Sequence, residues 1–370
     1  MEPNRVKKIY DLGQSIWLDF IDRKLLNSGQ LQKLIDEDGV RGLTTNPAIF
    51  EKAISSGSDY DEDIKKLAQD GKSNEDIFYG VAITDIQRAA DLFKSVYEEK
   101  NRGADGYVSL EVSPQLARDT AGTLAQARDL WQSVGRDNLM VKIPGTQEGL
   151  PAIQQCISEG INLNVTLLFG LKRYQAVVEA YLSGLEERQR AGQPIDSIAS
   201  VASFFLSRID ILIDPMLEAK GLNDLKGQVA IALAKKAYEY YNQTFNGDRF
   251  NALADKGATP QRLLWASTSS KDPASSDVKY VEALIGPKTV DTIPMETLDA
   301  FRDHGQAESR LETDMDRASS VLERVAQAGI DLEAISQQLE KEGIEKFNQP
   351  YSKLLNAIDQ QKQKSLASAS

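Results

Sequence analysis

The sequence predicts an α/β protein that folds as a (β/α)8 barrel with additional N- and C-terminal helices. Eight short apolar runs follow one another along the 370 residues, and segments with helical periodicity separate them. Most of these runs keep one apolar face and end in a polar residue. The competing architecture, a doubly wound sheet, more often carries a Gly-x-Gly-x-x-Gly turn after its first strand, and that motif does not occur here.

The first half of the chain supplies four of the predicted strands. The expected strands cover 15–20, 40–47, 107–112 and 139–143, and the expected helices cover 6–14, 25–36, most of 48–106 and 120–134. Asn46-Pro47 and Ser113-Pro114 end the second and third strands. Ser73 and Asp76 have the spacing of a capping box inside the long helical segment. Gly135 is a typical residue to end the last of these helices.

The second half supplies the other four strands and a long helical end. Strands are expected over 162–168, 200–205, 262–267 and 289–294, with helices from Thr146 to near Gly160, over 171–190, over most of 209–246 and over 295–361. The charge density of the last segment indicates a solvated outer face. We therefore expect a single barrel domain with helical additions over 1–361, followed by a disordered tail over 362–370.

Composition excludes several classes of function. The formal net charge of −12 argues against non-specific binding to nucleic acid and against a polybasic membrane contact. Cys156 is the single cysteine, so neither an intrachain disulfide nor a cysteine-based zinc site is possible. His304 is the single histidine, which argues against a histidine-dependent triad or a multi-histidine metal site. No apolar run approaches 18 residues and no signal-peptide core is present, so we expect a cytoplasmic protein.

Lys142 stands out because it lies inside the apolar run that forms the fourth predicted strand. Burying an ammonium group is costly, and a lysine made neutral by its surroundings can attack a carbonyl carbon to form a Schiff base. In the alternative interpretation the side chain buries only its stem, and its charged head reaches water at the strand end.

The polar residues of the other strands favour the catalytic interpretation. In a barrel the apolar faces pack on the helices, and the polar strand ends converge at the C-terminal mouth, where such barrels place their chemistry. A single polar strand end commonly does no more than meet solvent. Here seven such residues fall at or near strand ends: Asp19, Asn46, Glu111, Lys142, Asn164, Thr166 and Ser203.

This set is suited to Schiff-base chemistry on a sugar. Such chemistry needs an amine nucleophile and two acid/base groups, which Lys142, Glu111 and Asp19 can supply. Neutral side chains that could bind sugar hydroxyls are Asn46, Asn164, Thr166 and Ser203. Candidate phosphate contacts are Arg208, Lys271 and Ser267. In the alternative these are surface charges or helix caps, and Asp210 and Asp272 pair with the two cations.

Five motifs of the sequence, in their order, resemble the transaldolase family, in its longer bacterial and plant-type branch. The motifs are Thr44-Thr45-Asn46-Pro47, Leu110-Glu111-Val112, Val141-Lys142-Ile143-Pro144, Asn164-Val165-Thr166-Leu167-Leu168-Phe169 and Ala202-Ser203-Phe204-Phe205 followed by Arg208. The resemblance runs from about residue 15 to residue 294. Any one of these motifs alone is weak, but together they are highly specific.

The resemblance implies a TIM barrel of the class I aldolase type that acts in the non-oxidative pentose phosphate pathway. The enzyme would move a dihydroxyacetone unit from sedoheptulose 7-phosphate to glyceraldehyde 3-phosphate, giving erythrose 4-phosphate and fructose 6-phosphate. Lys142 would form the Schiff base, Glu111 with Thr166 and a water would move protons at the carbinolamine, and Asp19 would serve the aldol step. The substrate-binding residues would be Asn46, Asn164, Ser203, Phe205, Arg208 and Ser267. No metal or organic cofactor is implied.

One departure from the family pattern follows Ser267. The better-studied branch continues Phe-Arg-Asn there, whereas this chain continues Thr268-Ser269-Ser270-Lys271, and a second phosphate-binding arginine is missing. We assign its role to Lys271 as a hypothesis.

Three alternatives remain open. A related aldolase that splits fructose 6-phosphate without a transfer acceptor carries Gln and Tyr where this chain has Glu111 and Phe205. A sugar-phosphate-binding protein without turnover, or a purely structural interaction protein, would leave the Lys142, Glu111 and Asp19 set unexplained. The partners expected are sugar phosphates, with no nucleic acid and no membrane, and the protein is a monomer or a homodimer.

Overall fold

The computed structural model describes residues 4–99, 104–270 and 275–367, and within these ranges eight parallel strands close into a barrel. Each strand pairs with the next in the chain, and the last pairs with the first. The strands are β1 Gln14–Asp19, β2 Leu43–Thr44, β3 Val108–Glu111, β4 Leu139–Pro144, β5 Leu163–Leu168, β6 Ser200–Phe205, β7 Arg262–Ala266 and β8 Thr289–Ile293. The closed barrel confirms the predicted fold class over the doubly wound sheet.

Helices and short helical turns surround this barrel. The α-helices before β5 are α1 Arg5–Asp11, α2 Arg23–Asn27, α3 Gln30–Lys33, α4 Pro47–Ser55, α5 Asp61–Gln69, α6 Asn74–Leu92, α7 Lys94–Tyr97, α8 Thr120–Val134 and α9 Gly149–Glu159. Those after β5 are α10 Leu171–Arg190, α11 Ser207–Ala219, α12 Val229–Phe245, α13 Asp248–Ala254, α14 Lys279–Ala283, α15 Met295–His304, α16 Met315–Gln327 and α17 Leu332–Ala367. Among these described helices, none combines the length and apolarity that crossing a membrane requires.

The sequence predicted α8 and α10 with their observed bounds, and the capping box at Ser73 and Asp76 is present. The helix expected over 25–36 is instead divided. Gly29 adopts φ 76° between α2 and α3, and a π-helical turn over Leu34–Asp38 then ends at Gly39 with φ 69°. Both glycines take a left-handed conformation that costs other residues free energy, so they interrupt the regular helix.

The N-terminal end of the barrel is closed by a buried side chain and an ionic cluster. The Trp17 ring lies so close to Gly42 that a Cβ atom there would approach the ring to 2.6 Å. Below Trp17, Asp105 accepts hydrogen bonds from the Trp17 indole, the Ser15 hydroxyl and the Arg41 and Arg262 guanidinium groups. These contacts close the base of the barrel and leave its C-terminal end as the open side.

Helix α17 packs against the barrel at β5 and against several of the surrounding helices. The last segment has the solvated outer face that its charge density predicts, with Gln338, Lys341 and Glu345 exposed. The opposite face of α17 is buried through Phe347, Tyr351, Leu354 and Ile358. They pack with α4, α5 and α6, and Gly343 lies against Leu167 of β5. The disordered tail was expected from residue 362, but α17 continues to Ala367, and 368–370 lie outside the described residues.

One buried carboxyl group lies on the helix-facing side of the barrel. Asp291 in β8 is 0% exposed, and its strand neighbour Thr292 points the other way, into the barrel. Neither carboxyl oxygen of Asp291 has a hydrogen-bond partner among the described residues, and burial raises the pKa of this carboxyl group to about 8. Asp291 therefore binds a proton in the folded protein across a pH range in which an unfolded chain would release it.

We expect Asp291 to make the protein less stable as the pH rises from about 4 to 8, because only the folded state holds the proton in that window. Asp291→Asn cannot titrate, so it should flatten this part of the pH profile. The difference between the two profiles is at most about 4 kcal/mol at pH 7. Urea unfolding of both proteins at pH 5 and pH 8 measures it, and equal pH dependence in the two proteins would contradict the burial argument.

Candidate active site

A cavity of about 110 Å³ lies at the C-terminal ends of the strands. It is lined by nine of the residues that the sequence singled out: Asp19, Asn46, Lys142, Asn164, Thr166, Ser203, Phe205, Arg208 and Ser267. Glu111 joins them through its contact with Lys142. Lys271 lies outside the described residues. The structure therefore brings the predicted polar strand ends to one place.

Lys142 is enclosed, with 5% of its surface exposed. Its Nζ atom donates a hydrogen bond of 2.9 Å to the Thr45 carbonyl and lies 3.2 Å from Oε2 of Glu111. The pairing of β3 with β4 brings these two together, because Lys142 is in register with Glu111. The alternative in which the lysine head reaches bulk water does not fit this burial.

Two carboxyl groups face the Lys142 ammonium. Burial raises the pKa of Asp19, against the opposing effects of Lys142 and of the Thr44 hydroxyl, which donates to Asp19 at 2.7 Å. Burial likewise raises the pKa of Glu111, and Lys142 again opposes the shift. A raised pKa brings a carboxyl group closer to the pH at which it can both give and take a proton.

The neutral side chains are held in defined orientations. The Ser203 hydroxyl donates to Oδ1 of Asn164 at 2.6 Å, and the Asn164 amide donates to the Ser109 hydroxyl at 3.1 Å. Oδ1 of Asn46 accepts the Ile49 amide and caps α4, so its amide NH2 is the group available for a ligand. Fixed donors and acceptors of this kind suit a polyhydroxylated substrate.

Arg208 lies between two aromatic rings. Its Cζ atom is 5.3 Å from the centre of the Phe205 ring and 5.9 Å from that of Phe347. Among the residues the structure describes, none accepts a hydrogen bond from its buried Nη1 atom. Burial lowers the pKa of Arg208, although a guanidinium remains charged at neutral pH. The site thus presents a fixed cation suited to an anionic group.

Asp210 does not pair with Arg208, which the sequence had left open. Its carboxylate accepts hydrogen bonds from the Tyr280 hydroxyl and the Ala230 amide, and Lys279 lies 3.9 Å away. Asp210 therefore ties α11 to α12 and to Tyr280, and Arg208 is left to the cavity.

Ser267 departs from the alternation that the sequence predicted. Alternation would place it opposite Ala266, yet both residues line the cavity. Strand β7 ends at Ala266, and Ser267 then adopts φ 55°, which turns it out of the strand pattern. Its hydroxyl lies 2.8 Å from the Ser207 hydroxyl at the start of α11.

Sequence reasoning missed four lining residues, of which Ala266 carries no functional group. The hydroxyls of Thr44 and Thr292 lie 2.6 Å apart and connect β2 to β8 beside Asp19. Phe347 comes from α17, with its ring centre 5.5 Å from Nζ of Lys142. Alternation within β8 could have indicated Thr292, but nothing in the local sequence links Phe347 to strands about 200 residues earlier.

Comparisons with known proteins show the family of this chain. The sequence profile of the family described as transaldolase/fructose-6-phosphate aldolase matches residues 16–358. A transaldolase of Trichodesmium erythraeum is 47% identical over 98% of this chain and 99% of its own length. A transaldolase of Saccharopolyspora erythraea is 47% identical over 97% and 98%, and one of Thiobacillus denitrificans is 46% identical over 96% and 99%. The chain therefore belongs to the transaldolase/fructose-6-phosphate aldolase family.

Proposed function

We propose that this protein is a transaldolase that moves a dihydroxyacetone unit from sedoheptulose 7-phosphate to glyceraldehyde 3-phosphate through a Schiff base. The products are erythrose 4-phosphate and fructose 6-phosphate, in the non-oxidative pentose phosphate pathway. The observation that carries this proposal is the enclosed Lys142 ammonium 3.2 Å from Glu111, in a cavity that Asp19 also lines.

The first half of the reaction uses Lys142 and Glu111. Proton transfer from the ammonium to the adjacent carboxylate gives a neutral amine, which attacks the ketone carbon of the donor. After the attack, one proton moves from the nitrogen to the new oxygen with the help of Thr166 and a water, which gives the neutral carbinolamine. Glu111 then returns to that oxygen the proton that it took from the ammonium. The C–O bond breaks, water leaves and the nitrogen lone pair forms the iminium. The contact between Nζ and Oε2 supports Glu111 in this role.

The second half uses Asp19. As a base it removes the proton of the hydroxyl next to the bond that breaks, and the electron pair of that C–C bond moves toward the iminium. The aldehyde product leaves, and the dihydroxyacetone unit stays on Lys142 as an enamine. Addition to the acceptor aldehyde reverses these steps, with Asp19 returning the proton. The raised pKa of Asp19 supports this exchange of roles.

Substrate binding follows from the remaining polar groups. Asn46, Asn164 and Ser203 bind the hydroxyls of the dihydroxyacetone unit, and Arg208 with Ser267 binds the phosphate. Nη1 of Arg208, which has no hydrogen-bond partner in the described part of the chain, supports that assignment. Lys271 as the second phosphate contact stays a hypothesis. No metal or organic cofactor is part of the proposal.

Several residues favour transfer of the dihydroxyacetone unit to an acceptor over simple aldol cleavage. Glu111 and Phe205 stand where the related aldolase carries Gln and Tyr, and Phe205 and Phe347 add apolar walls to the cavity. An apolar wall limits water at the enamine, so the unit is held until an acceptor aldehyde arrives. A cytoplasmic location and a monomeric or homodimeric state stay predictions, which cell fractionation and sedimentation would test.

We expect the protein to convert fructose 6-phosphate and erythrose 4-phosphate into sedoheptulose 7-phosphate and glyceraldehyde 3-phosphate. Without the acceptor, free dihydroxyacetone should form only slowly, because the enamine remains on the enzyme. Chromatographic product analysis with and without acceptor measures both, and Lys142→Met is the inactive control. Rapid release of dihydroxyacetone without acceptor would contradict the transferase assignment.

Asp19→Asn should still form the Schiff base but lose C–C cleavage by about two orders of magnitude, the usual contribution of a general base. Asp291→Asn is the matched control, since it removes a buried carboxyl group of a barrel strand that does not line the cavity. Borohydride-trapped adduct and transfer rate are measured for both variants. Full transfer activity in Asp19→Asn would remove Asp19 from its role.

A further inference from the structure

A second cavity lies among the helices outside the barrel, between α12, α14 and α16. Its volume is about 290 Å³, against about 110 Å³ for the cavity at the strand ends, and the two cavities share no lining residue. This volume is close to the lower end of the range that small-molecule sites occupy. The second cavity is therefore large enough for a small organic molecule, and it is separate from the proposed active site.

One side of this cavity is apolar. The apolar wall is formed by Ile231 and Ala232 of α12, Ala283 of α14, and Ala318 and Val321 of α16. Small-molecule sites typically combine such a wall with a few polar groups that orient the ligand. The wall therefore favours a ligand with an apolar body.

The polar groups of the cavity are mainly cationic. Lys235, Lys279, Arg310 and Arg317 line it, and Asp314 is the single carboxylate among the described residues that do so. The protein as a whole has a formal net charge of −12, so this cluster is opposite in sign to the net charge of the molecule. A concave site lined by one sign of charge attracts ligands of the opposite sign.

Lys235 is buried with little compensation for its charge. It is 6% exposed, and its Nζ atom donates hydrogen bonds of 2.8 and 2.5 Å to the carbonyl oxygens of Arg310 and Thr313. Burial lowers the pKa of Lys235, and the charge of Asp314 only partly opposes this effect. Because a buried charge is stabilised by a partner of opposite sign, an anion in the cavity would stabilise this ammonium.

Lys279 and Arg317 also lack a hydrogen-bonded carboxylate among the residues that the structure describes. The Arg317 guanidinium donates hydrogen bonds of 3.2 and 2.9 Å to Oε1 of Gln228, which is a neutral acceptor. Nζ of Lys279 lies 3.9 Å from Oδ2 of Asp210, which is too far for a hydrogen bond. Both side chains can therefore donate to a ligand without breaking a close ion pair.

The remaining cation is compensated. The Arg310 guanidinium lies 2.7 Å from a carboxylate oxygen of Glu308 and 3.6 Å from one of Glu282. Of the other three cations, one is offset by the charge of Asp314, so about two positive charges of the lining remain. A group with two negative charges would match them, and a phosphate monoester at neutral pH carries nearly that charge.

We propose that this cavity binds a small molecule that carries a doubly charged oxyanion group, a phosphate monoester or a dicarboxylate, on an apolar body. Lys279 and Arg317 donate hydrogen bonds to the oxyanion, and the buried charge of Lys235 adds to its attraction. The apolar body lies against Ile231 and Val321. This inference goes beyond the proposed function and does not depend on it.

The test uses phenyl phosphate as the phosphate monoester and isothermal titration calorimetry as the measurement. The parent for the test is Arg208→Met, which removes the phosphate contact proposed for the strand-end cavity, and we expect it to bind one molecule of phenyl phosphate. Adding Lys279→Met or Arg317→Met should weaken this binding roughly tenfold each, because each removes a charge-assisted hydrogen bond. Arg324→Met is the matched control, since it removes a cation of α16 that pairs with Asp224 and does not line the cavity. It should leave the affinity unchanged.

Two further probes define the ligand class. Inorganic phosphate should bind about tenfold more weakly than phenyl phosphate, because it leaves the apolar wall uncovered. Phthalate presents two carboxylates on the same ring, so tighter binding of phthalate supports a dicarboxylate ligand, and tighter binding of phenyl phosphate supports a phosphate monoester.

Three results would overturn the inference in variants that circular dichroism shows to be folded. The first is that neither phenyl phosphate nor phthalate binds to Arg208→Met at millimolar concentration. The second is binding that Lys279→Met and Arg317→Met leave unchanged, which would place the ligand elsewhere. The third is equal affinity for inorganic phosphate and phenyl phosphate, which would leave the apolar wall without a role. Since the binding assay does not involve the Schiff base, each result is independent of the proposed transferase activity.

Discussion

The burial of Lys142 beside Glu111 is the contact on which the rest of the site depends. An ammonium group removed from water needs a charge partner and hydrogen-bond acceptors, and Glu111 with the Thr45 carbonyl supplies both. The same burial raises the pKa of Glu111 and Asp19, so the groups that compensate the charge are also ready for proton transfer. The cost of enclosing the lysine and the chemistry of the site therefore have one physical origin.

The barrel supplies the geometry that this contact needs. Parallel pairing places Lys142 in register with Glu111 on one side and with Asn164 on the other. The base of the barrel is filled by Trp17 and the hydrogen bonds to Asp105, and the cavity lies at the strand ends. Helix α17 then encloses it from outside the barrel, where the Phe347 ring lies near both Lys142 and Arg208. The strand register, the closed base and the covering helix together determine which side chains contact a substrate in the cavity.

The sequence predicted the features that depend on local pattern. Alternation along the strands indicated the eight-stranded barrel and brought Asp19, Glu111 and Lys142 to one end, because side-chain direction in a strand is a local property. It could not predict Phe347, whose contact with Lys142 depends on the path of α17. Ser267 was misplaced because its positive φ ends the alternation. The burial of Asp291 was not predicted, because the pairing of β8 with its neighbouring strands, and not the residue type at position 291, decides which face of the strand is buried.

The most direct test of the account is borohydride trapping with fructose 6-phosphate, followed by proteolysis and mass spectrometry of the peptides. The account predicts a reduced dihydroxyacetone or ketose adduct on the peptide that contains Lys142, and its absence in Lys142→Met. An adduct on another lysine would move the site and remove the roles given to Glu111 and Asp19. A folded protein that binds fructose 6-phosphate but forms no adduct would contradict Schiff-base chemistry altogether.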